Sequence, residues 1–583
     1  MLKKMEKAEG EDMVDEVVKL ETVDTANDWD GIEKFGGDWE SGNAGEDGQP
    51  ELDPISLKKG REEETRYMRD TLDMFEFGSL EDAWRRGGKA PTTTRWVDGN
   101  KEGEDGKVFV RSRLVARDFK PKNDNQRHDL FAAMPPLEAK KTLFAYVAGV
   151  RGHREREGDE EIKMAFVDVK KAHLNGICEE EAWIELPKEF ERWGKYARLR
   201  RWLYGMRKAA SSWEEDYSKK LESAGFRRGV AASTLFHHPV SGVKLVVHGD
   251  DFTFAGVAKE LDRVEKLMGE WYDIKVRGRL GSGAEEVKKI VILGRTLRWT
   301  SGGLELEADG KHRLAVLQGL GLDSSSKPVG GAAAKEEKVQ EEDGEENLGM
   351  EEARKFRGLA ARINYLGQDR SDLQFASKEV CSGMANPKKR HLQLLKRVAR
   401  YLLSVSSVVW SFGPWEDAKT AQIDVYVDSD WAKREDRKST SGGIMTVGGN
   451  VVKHWSRVQS SRALSVGEAE FYAAVTGGAE GLGVQGLLTD LGLESKVKIW
   501  TDSDAARGIA SRRGLGKTRH IELRLLWIQE AVNKKRITIS RVPGEVNPAD
   551  HLTKPKNYWE FEALVGELGG YLIKTKDARL PRR

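Results

Sequence analysis

The sequence predicts a chain of several domains, partly α+β and partly α/β. Its 583 residues suffice for roughly three or four domains of ordinary size. Between residues 80 and 320, short β-rich runs alternate with amphipathic helices. Residues 421–556 then predict a strand, a strand pair, a helix, a strand, two helices, a strand and a helix, which is an α/β order.

The N-terminal region differs from the rest of the chain in charge. Residues 1–60 hold 17 acidic and 7 basic side chains, whereas the remainder holds 79 acidic and 90 basic. The overall charge of +1 therefore combines a tail of −10 with a body of +11. Because residues 1–75 offer few apolar positions to bury, we predict a disordered acidic tail there, with an acidic interaction segment as the alternative.

Cysteine content and hydropathy exclude several classes of protein. Cys178 and Cys381 are the two cysteines, too few for a disulfide scaffold or a zinc knuckle, and they favour a reducing compartment. No apolar run approaches the ~18–20 residues of a membrane span, and the start MLKKMEKAEGEDMVDE lacks the core of a signal peptide. We expect a soluble protein without a membrane partner, cytoplasmic or nuclear and not secreted.

A polar segment at 321–350 is predicted to be a linker, and a helical block at 351–415 follows it. Near the end of the block, apolar residues recur at helical spacing while five cations gather on another face: Lys389, Arg390, Lys396, Arg397 and Arg400. A solvated face is the simple interpretation for an isolated helix. The lack of an interleaved carboxylate favours a nucleic-acid backbone as the partner.

The segment IKMAFVDVKKAHLNG predicts a strand covered on both faces, yet Asp168 interrupts it. Buried carboxylates are uncommon unless they are paired or bind a metal. Further along, VKLVVHGDDFTFAG predicts a hairpin with Asp250 and Asp251 at its tip. Such a pair alone is usually a solvated turn, but with Asp168 it can hold divalent ions for phosphoryl transfer. Since adjacent strand residues face opposite sides, Asp250 is the preferred direct ligand.

Seven segments occur in the order and approximate spacing of one known family. They are RSRLVARDFKPK, FVDVKKAHLNG, RLRRWLYGMRKAASSWEEDYSKKLESAGF, VVHGDDF, ILGRTL, GLAARINYLGQDRSDLQFASKEV and HLQLLKRVARYLL. Together they resemble the reverse transcriptase of copia-type long-terminal-repeat retrotransposons. The resemblance implies a right hand of fingers, palm and thumb that synthesises DNA on RNA and DNA templates. It also implies a site for two Mg²⁺ or Mn²⁺ ions, held by Asp168, Asp250 and Asp251.

The resemblance also implies substrate-binding residues. Arg113 and Arg117 would hold the triphosphate, with the choice between them open. The residues matching the motif that positions the template base and the incoming nucleotide are Tyr204, Gly205 and Arg207. The chain departs from the family at His173, where an aromatic usually excludes the ribose 2′-hydroxyl, and at His248-Gly249, usually Tyr-Val. Both departures bear on fidelity and sugar discrimination, and neither removes a metal ligand.

The α/β segment carries carboxylates on successive elements. IDVYVDSDW alternates in polarity and closes its polar face with Asp428, and VKIWTDSD ends at Asp502. Between these strands, the helix LSVGEAEFYAAVTGGAEGL presents Glu470. NPADHLTK predicts a helix start with Asn547 as N-cap and Asp550 in the first turn, where a carboxylate also complements the helix dipole.

This order of carboxylates is found in the RNase H fold, and several segments resemble the copia-type version: WAKREDRKSTSGG, HWSRVQSSRALSVGEAEFYAA, WTDSDAARGIA, KTRHIELRLLWIQE and VPGEVNPADHLTKP. The resemblance implies that water is activated to cut the RNA of an RNA–DNA hybrid by two ions held on Asp428, Glu470, Asp502 and Asp550. Asp430 and Glu468 are neighbouring alternatives. His520 is expected to assist product release or substrate contact, with a packed or capping histidine as the alternative.

The sequence therefore predicts part of a copia-type Pol polyprotein whose upstream parts are missing. The expected ranges are a tail (1–75), fingers and palm (80–320), a linker (321–350), thumb or connection helices (351–415), an RNase H-like domain (421–556) and a C-terminal tail (557–583). The expected partners are an RNA template, a DNA primer, an RNA–DNA hybrid and dNTPs. The alternative is a decayed or domesticated fragment that binds nucleic acid without polymerase activity and retains at most RNase H activity.

Overall fold

A computed structural model describes residues 52–102, 108–119, 128–334, 344–417, 419–516 and 518–575. Most of the predicted acidic tail thus lies outside the described residues. The chain divides into two compact units. Unit 1 comprises Met1–Ala132 and His173–Asp216, and unit 2 comprises Ala133–Ala172 and Tyr217–Arg583. The predicted 80–320 segment therefore contributes to both units.

The strands of the described residues are numbered along the chain. They are β1 Phe75–Gly78, β2 Thr92–Glu102, β3 Val108–Ala116, β4 Lys163–Val169, β5 Trp183–Glu185, β6 Tyr196–Leu199, β7 Arg227–Arg228, β8 Leu235–His237, β9 Lys244–His248, β10 Asp251–Gly256, β11 Ile274–Leu280, β12 Lys289–Ile292, β13 Arg295–Thr300, β14 Gly303–Glu307, β15 Val405–Phe412, β16 Thr420–Ser429, β17 Thr440–Val447, β18 Asn450–Val458, β19 Glu494–Thr501, β20 Ile537–Arg541 and β21 Gly570–Lys574.

The helices are numbered in the same way. The α-helices are α1 Pro54–Arg66, α2 Leu80–Gly87, α3 Leu137–Glu157, α4 Ala209–Ser223, α5 Ala258–Trp271, α6 Gly310–Gly319, α7 Met350–Gly367, α8 Ser371–Cys381, α9 Lys389–Ser404, α10 Val466–Asp490, α11 Asp504–Ser511, α12 Trp527–Asn533 and α13 Tyr558–Val565. A π-helical turn at Tyr67–Thr71 continues α1. Short 3₁₀ helices lie at His128–Leu130, Ala172–Leu174, Lys188–Phe190, Leu523–Leu526, Gly544–Val546, Pro548–Leu552 and Gly566–Leu568.

Unit 1 is built around a five-stranded sheet with the order β1-β6-β5-β2-β3. Its strands are antiparallel neighbours except for the parallel pair β2 and β5. The core on this sheet is apolar and includes Met68, Phe75, Leu114, Phe190 and Trp202. Apart from β1, the strands of this sheet lie within the 80–320 segment, where the sequence predicts short strands mixed with amphipathic helices.

Helix α1 lies within the range predicted to be a disordered tail. Asp53 caps the helix by accepting from the Ser56 amide at 2.8 Å, and Pro54 occupies the first helical position. The helix packs on β3 so closely that a Cβ at Gly60 would lie 2.6 Å from the Val110 carbonyl oxygen. Tertiary packing therefore orders a segment whose composition alone favours disorder.

Unit 2 contains a six-stranded sheet with the order β11-β4-β10-β9-β8-β7, and every neighbouring pair in it is antiparallel. Strand β4 lies inside the sheet, and its residues 164–167 are buried. Helix α3 packs against β9 and β10, and α5 packs against β4, β10 and β11. The prediction of a strand covered on both faces at 163–169 is therefore confirmed.

A second sheet of unit 2 joins distant parts of the chain in the order β12-β13-β14-β15-β21. Strand β21 and helix α13 belong to the range predicted to be a C-terminal tail. Asn557 and Glu560 form a capping box at the start of α13, and Phe561 and Val565 are buried. The Asn-x-x-Glu spacing and these apolar positions are the sequence signals for the extra helix.

The third sheet of unit 2 has the order β18-β17-β16-β19-β20. Strands β16, β17 and β18 form an antiparallel meander, while β16, β19 and β20 are parallel. Helix α10 packs across β16 and β19. Cβ atoms at Gly477 and Gly481 would lie 2.5 Å from Val427 and 2.8 Å from Val497, so these glycines permit the close helix–sheet approach. The α/β fold predicted for 421–556 is confirmed.

A buried ion cluster around Asp369, which lies between α7 and α8, joins three further elements of unit 2. The Asp369 carboxylate lies 2.7 Å from Arg295 of β13 and 2.9 Å from Lys141 of α3, and its carbonyl accepts from Trp410 of β15 at 3.0 Å. Burial by itself would raise the pKa of Asp369, but the two cations outweigh it and hold that pKa at about 2. Asp369 is thus charged at neutral pH and neutralises two buried cations.

Within the described part of the chain, no helix combines the length and the apolar character that crossing a membrane requires.

We predict that Asp369→Asn lowers the free energy of unfolding by about 3–5 kcal/mol, because it leaves Arg295 and Lys141 buried without a counter-charge. Chemical denaturation at pH 7 measures the loss. Glu62→Gln is the matched control, since Glu62 pairs with Lys58 across 4.0 Å with both side chains largely exposed. The control should change stability by less than about 1 kcal/mol, and equal effects of the two variants would contradict the prediction.

Candidate active sites

Asp168 and Asp251 face each other across two central strands of the six-stranded sheet. They are directly opposed in the antiparallel register of β4 and β10. Directly opposed residues point to the same face with Cβ atoms about 4.5–5.5 Å apart. Asp251 is also opposed to His248 on β9, and Asp168 to Lys275 on β11. One row across the sheet thus carries two carboxylates between two basic side chains.

Asp250 lies in the two-residue loop that connects β9 to β10, so the predicted hairpin is confirmed. Gly249 precedes it with a φ of +64°, the conformation that the first position of a type II′ turn requires. The Asp250 carbonyl accepts from the Val169 amide at 3.0 Å, which ties the loop to the end of β4. Asp250 is exposed, whereas the side chain of Asp251 lies 3.3 Å from Arg277. The register therefore pairs Asp251 with Asp168, although alternation along the chain favoured Asp250.

Lys140 of α3 is a buried cation near this row of charges. Its ammonium is among the described buried groups without a hydrogen-bond partner. Burial lowers the pKa of Lys140 to about 8, an effect that the nearby Asp251 partly offsets. Burial also lowers the pKa of His248 to about 4, with Lys140 and Arg295 acting in the same direction. His248, which stands where the family usually has tyrosine, is therefore neutral at pH 7. Lys140 is a residue near the site that the sequence motifs did not reveal.

In unit 1 the structure brings His173 and Tyr204 together. Their ring centroids are 6.3 Å apart with planes inclined by 73°, an edge-on contact. Gly205 has a φ of +80°, and a Cβ there would lie 2.3 Å from the Ala116 carbonyl oxygen. Glycine is therefore required at 205 both for its conformation and for its space.

The predicted basic residues of unit 1 lie on β3 and around its end. Arg113 is on β3 opposite Val97, half-buried, whereas Arg117 lies just beyond the strand and is exposed. The Arg207 amide donates to Asp118 at 3.1 Å, and its guanidinium is 3.7 Å from the same carboxylate. Asp118 therefore anchors Arg207, while Arg117 is the more accessible of the two candidate triphosphate ligands.

The basic face predicted for α9 is partly neutralised within the protein. Lys389 lies 2.5 Å from Glu346, and Arg390 lies 2.7 Å from both Glu345 and Glu435. Lys396 and Arg400, further along the helix, have exposed side chains. Any contact of this face with a polyanion would therefore fall first on the second half of the helix.

Three carboxylates of the α/β segment converge at the end of the β16-β19 pair. They are Asp428 near the end of β16, Glu470 in the second turn of α10 and Asp502 just after β19. One oxygen of each lies within 4.8 Å of the others. Among the described residues this is the one group of three that meets this distance, so Asp168, Asp250 and Asp251 are less tightly gathered.

The environment of this cluster, which we call the Asp428 cluster, fits a divalent cation. Glu470 accepts from the Ser429 amide at 3.1 Å through Oε1, but its buried Oε2 is among the described atoms without a hydrogen-bond partner. Burial raises the pKa of Glu470, and the charges of Asp428 and Asp502 raise it further. Burial also raises the pKa of Asp428, to about 6. Mg²⁺ and Mn²⁺ prefer hard oxygen ligands. A divalent cation would also neutralise the carboxylates that repel each other here.

Asp550 lies beside the Asp428 cluster but is held by lysines. The predicted N-cap is confirmed, because Asn547 accepts from the Ala549 amide at 3.1 Å and donates to the Val427 carbonyl at 2.9 Å. Asp550 thus sits in the first turn of the 3₁₀ helix. Burial raises its pKa, but its contacts with Lys554 and Lys556 outweigh burial and lower it. The structure therefore gathers three of the four predicted ligands and pairs the fourth with cations.

The neighbouring alternatives have structural partners. Asp430 accepts from the Thr440 amide at 2.6 Å, at the start of β17. Glu468 accepts from the Leu464 amide at 3.0 Å and from the Tyr472 hydroxyl at 2.5 Å, and it lies 2.7 Å from His520 Nε2. Both carboxylates shape the backbone around the cluster, and His520 stays at the surface, with 43% of its side chain exposed.

Gly442 is a positioning residue that sequence reasoning missed. It lies opposite Asp428 in the register of β16 and β17. A Cβ there would be 2.8 Å from Leu552 and 2.8 Å from Thr553. Glycine thus lets the chain after Asp550 approach β17, and Thr553 then donates to Asp428. The Ser-Gly-Gly triplet of the STSGG motif is the sequence signal for this contact.

Comparison with known proteins identifies part of the chain. Residues 85–282 match the family described as "Reverse transcriptase (RNA-dependent DNA polymerase)". The chain carries a reverse transcriptase domain. This range includes Asp168, Asp250 and Asp251 and all of the predicted substrate-binding residues except His520.

Curated relatives are Pol polyproteins of plant transposons. The chain is 27% identical over 500 residues to "Retrovirus-related Pol polyprotein from transposon TNT 1-94" of Nicotiana tabacum, covering 82% of this chain and 36% of that protein. It is 25% identical over 490 residues to the corresponding polyprotein of transposon RE1 of Arabidopsis thaliana, covering 82% and 31%. The chain thus spans about a third of the length of these relatives. The predicted resemblance to copia-type Pol polyproteins is confirmed.

Solved structures similar to the chain include a foamy virus protease-reverse transcriptase, at 13% identity and a TM-score of 0.25, covering 88% of this chain and 56% of that one. LC11-RNase H1 matches at 21% identity and a TM-score of 0.18, covering 22% of this chain and 91% of that one. At such TM-scores, the assignment of a polymerase followed by an RNase H-like domain depends on the family match and the strand orders. On those grounds the predicted fold class is confirmed.

We predict that Lys140→Met stabilises the metal-free protein at pH 7 and that the gain disappears near pH 10.5. The folded-state pKa of about 8 lies below the ordinary 10.5, so the unfolded chain binds more protons between these values and native stability rises with pH there. Below pH 8 the burial of the charge costs on the order of 3 kcal/mol, at ~1.4 kcal/mol per pKa unit. Denaturant unfolding in the presence of a chelator, at pH 7 and pH 10, measures the difference in the free energy of unfolding between the variant and the parent.

Lys259→Met is the control for this prediction, because Lys259 lies exposed on α5. It should leave stability unchanged at both pH values. A Lys140→Met protein that is less stable than the parent at pH 7 would show that the buried ammonium makes a net favourable contribution.

Proposed function

We propose that the chain is an RNA-directed DNA polymerase with ribonuclease H activity that replicates a copia-type retrotransposon. The observation that carries the polymerase proposal is the register of β4 and β10 within the reverse transcriptase domain. It sets Asp168 opposite Asp251 and places Asp250 in the adjoining turn. Two carboxylates on neighbouring strands and a third in the adjoining turn suit an in-line nucleotidyl transfer, in which positioning and charge stabilisation supply most of the catalysis.

In the polymerase centre, Asp168, Asp250 and Asp251 would hold the divalent ions. Such ions supply Lewis acidity that activates the primer 3′-hydroxyl and neutralises the leaving pyrophosphate. The protein's own contribution is to fix the carboxylates: the β4–β10 ladder holds two of them, and the amide of Val169 holds the loop of the third. Arg113 or Arg117 would bind the triphosphate through guanidinium forks, and Tyr204 and Arg207 would position the template base.

The hybrid-cleavage proposal is supported by the convergence of Asp428, Glu470 and Asp502 within 4.8 Å. These residues would hold a Mg²⁺ or Mn²⁺ ion beside the scissile phosphate of the RNA strand. Glu470, with its buried and unpartnered Oε2, is the strongest candidate ligand. His520 at the surface would contact the hybrid or the released product. The substrates of the whole protein are then an RNA template, a DNA primer, dNTPs and the RNA–DNA hybrid.

We predict that Asp250→Asn abolishes primer extension on an RNA template with Mg²⁺, lowering the rate by at least about 10³-fold, because one carboxylate of the metal-binding set is lost. Extension of a labelled primer measures the rate. Asp262→Asn, on the surface of α5, is the matched control and should retain the parental rate. Equal extension by the parent and the Asp250→Asn protein would rule out this centre, as would a parent that does not extend the primer.

We predict that Asp502→Asn abolishes cleavage of the RNA strand in an RNA–DNA hybrid while leaving primer extension intact. Asp502 belongs to the Asp428 cluster, which lies on a different sheet from the polymerase carboxylates. Asp504→Asn, two residues away on α11, preserves the cluster and serves as the control. Hybrid cleavage without primer extension in the parent would instead favour the alternative, a retrotransposon fragment with RNase H activity alone.

A further inference from the structure

Two lysines form ion pairs with Asp550, the fourth carboxylate predicted for the hybrid-cleavage centre. Lys554 contacts Asp550 Oδ1 and lies 3.7 Å from Asp428 Oδ2. Lys556 lies 2.6 Å from Asp550 Oδ2. Both oxygens of Asp550 are therefore taken up by ammonium groups. Lys554 alone bridges from Asp550 to the Asp428 cluster.

We propose that the Lys554 ammonium fills the second cation position of this centre, between Asp428 and Asp550, so that the centre binds one divalent ion tightly instead of two. The proposal rests on the proposed hybrid-cleavage function. The remaining position is formed by Asp428, Glu470 and Asp502. Asp428 is shared between the ion and the lysine, as a carboxylate is shared between two ions about 3.5–4 Å apart in a two-metal site.

The local chain conformation favours this arrangement over a chance surface pair. Lys554 follows Asp550 by four residues, and Thr553 between them donates to Asp428. The segment is thus fixed to β16 at the residue before Lys554. Asp428 is 4% exposed and Asp550 is 14% exposed at their side chains, so water screens their attraction to the ammonium less than at an open surface.

The two cation positions differ in what they offer a divalent ion. At the Asp428 cluster, the buried Glu470 Oε2 is an acceptor with no hydrogen-bond partner. At the second position, an incoming ion must displace Lys554 from two carboxylates and Lys556 from one. A second ion should therefore bind far more weakly than the first, and the fixed positive charge of Lys554 would stand beside the scissile phosphate in its place.

Counting bound Mn²⁺ tests the proposal. The full chain carries Asp168→Asn and Asp250→Asn in every sample, so that the polymerase centre does not contribute, and titration calorimetry together with electron paramagnetic resonance counts the ions. We expect one tightly bound ion, which Glu470→Gln removes. With Lys554→Met added, a second ion should bind at least tenfold more tightly than in the parent. Lys556→Met is the matched control, because Lys556 contacts Asp550 and no ion pair of the described residues joins it to Asp428. This variant should keep one tight ion.

Two tight ions in the protein that retains Lys554 would overturn the proposal, as would a Lys554→Met protein with unchanged ion binding. If thermal unfolding shows that the Lys554→Met protein is not folded, the number of tight ions in the parent still tests the proposal. Hybrid cleavage is measured on the same samples. Cleavage with two tight ions refutes the lysine's role and keeps the hybrid-cleavage function, whereas one tight ion without cleavage refutes that function and keeps the lysine's role. No bound ion refutes both.

Discussion

Both candidate centres depend on holding carboxylates close together against mutual repulsion and the cost of removing charge from water. At the Asp428 cluster this cost is visible as the raised pKa values of Asp428 and Glu470. Each carboxylate therefore comes from an element fixed by its own packing: a strand end, a helix and a second strand end. A site built on rigid elements keeps its ligands in place before any cation arrives.

Glycines supply much of this rigidity because they let backbones approach. The helix that carries Glu470 comes close to β16 and β19 only because Gly477 and Gly481 have no side chain, and Gly442 lets the chain after Asp550 reach β17. The helix propensity lost at these glycines, roughly 1 kcal/mol each relative to alanine, is offset by packing that a larger residue would prevent. Gly477 and Gly481 are thus required for α10 to hold Glu470 beside the ends of β16 and β19.

The sequence predicted the elements of both centres because each carboxylate ends or interrupts a strong local pattern. The apolar run around Asp168, the alternation before Asp428 and the capping signal at Asn547 are local signals, and they were sufficient. What depends on pairing between distant segments was not predictable. The opposition of Asp168 and Asp251, the burial of Lys140 and the ordering of α1 on β3 all arise from tertiary contacts. Composition also failed within two described stretches, 54–66 and 558–574, where packing orders α1, α13 and β21.

The structure shows which basic side chains of the chain are already paired with carboxylates. The excess of 11 positive charges after residue 60 favours a polyanionic partner, yet several of these cations are already used. Lys141 and Arg295 neutralise Asp369, Lys554 and Lys556 neutralise Asp550, and two cations of α9 pair with glutamates. In two of these groups a single aspartate contacts two cations, so fewer basic side chains remain available than the net charge suggests. Lys396 and Arg400 of α9 are among the exposed basic side chains of the described residues. Exposed basic side chains are thus the ones available to a polyanion, whereas Lys554 and Lys556 neutralise a carboxylate of the proposed hybrid-cleavage centre.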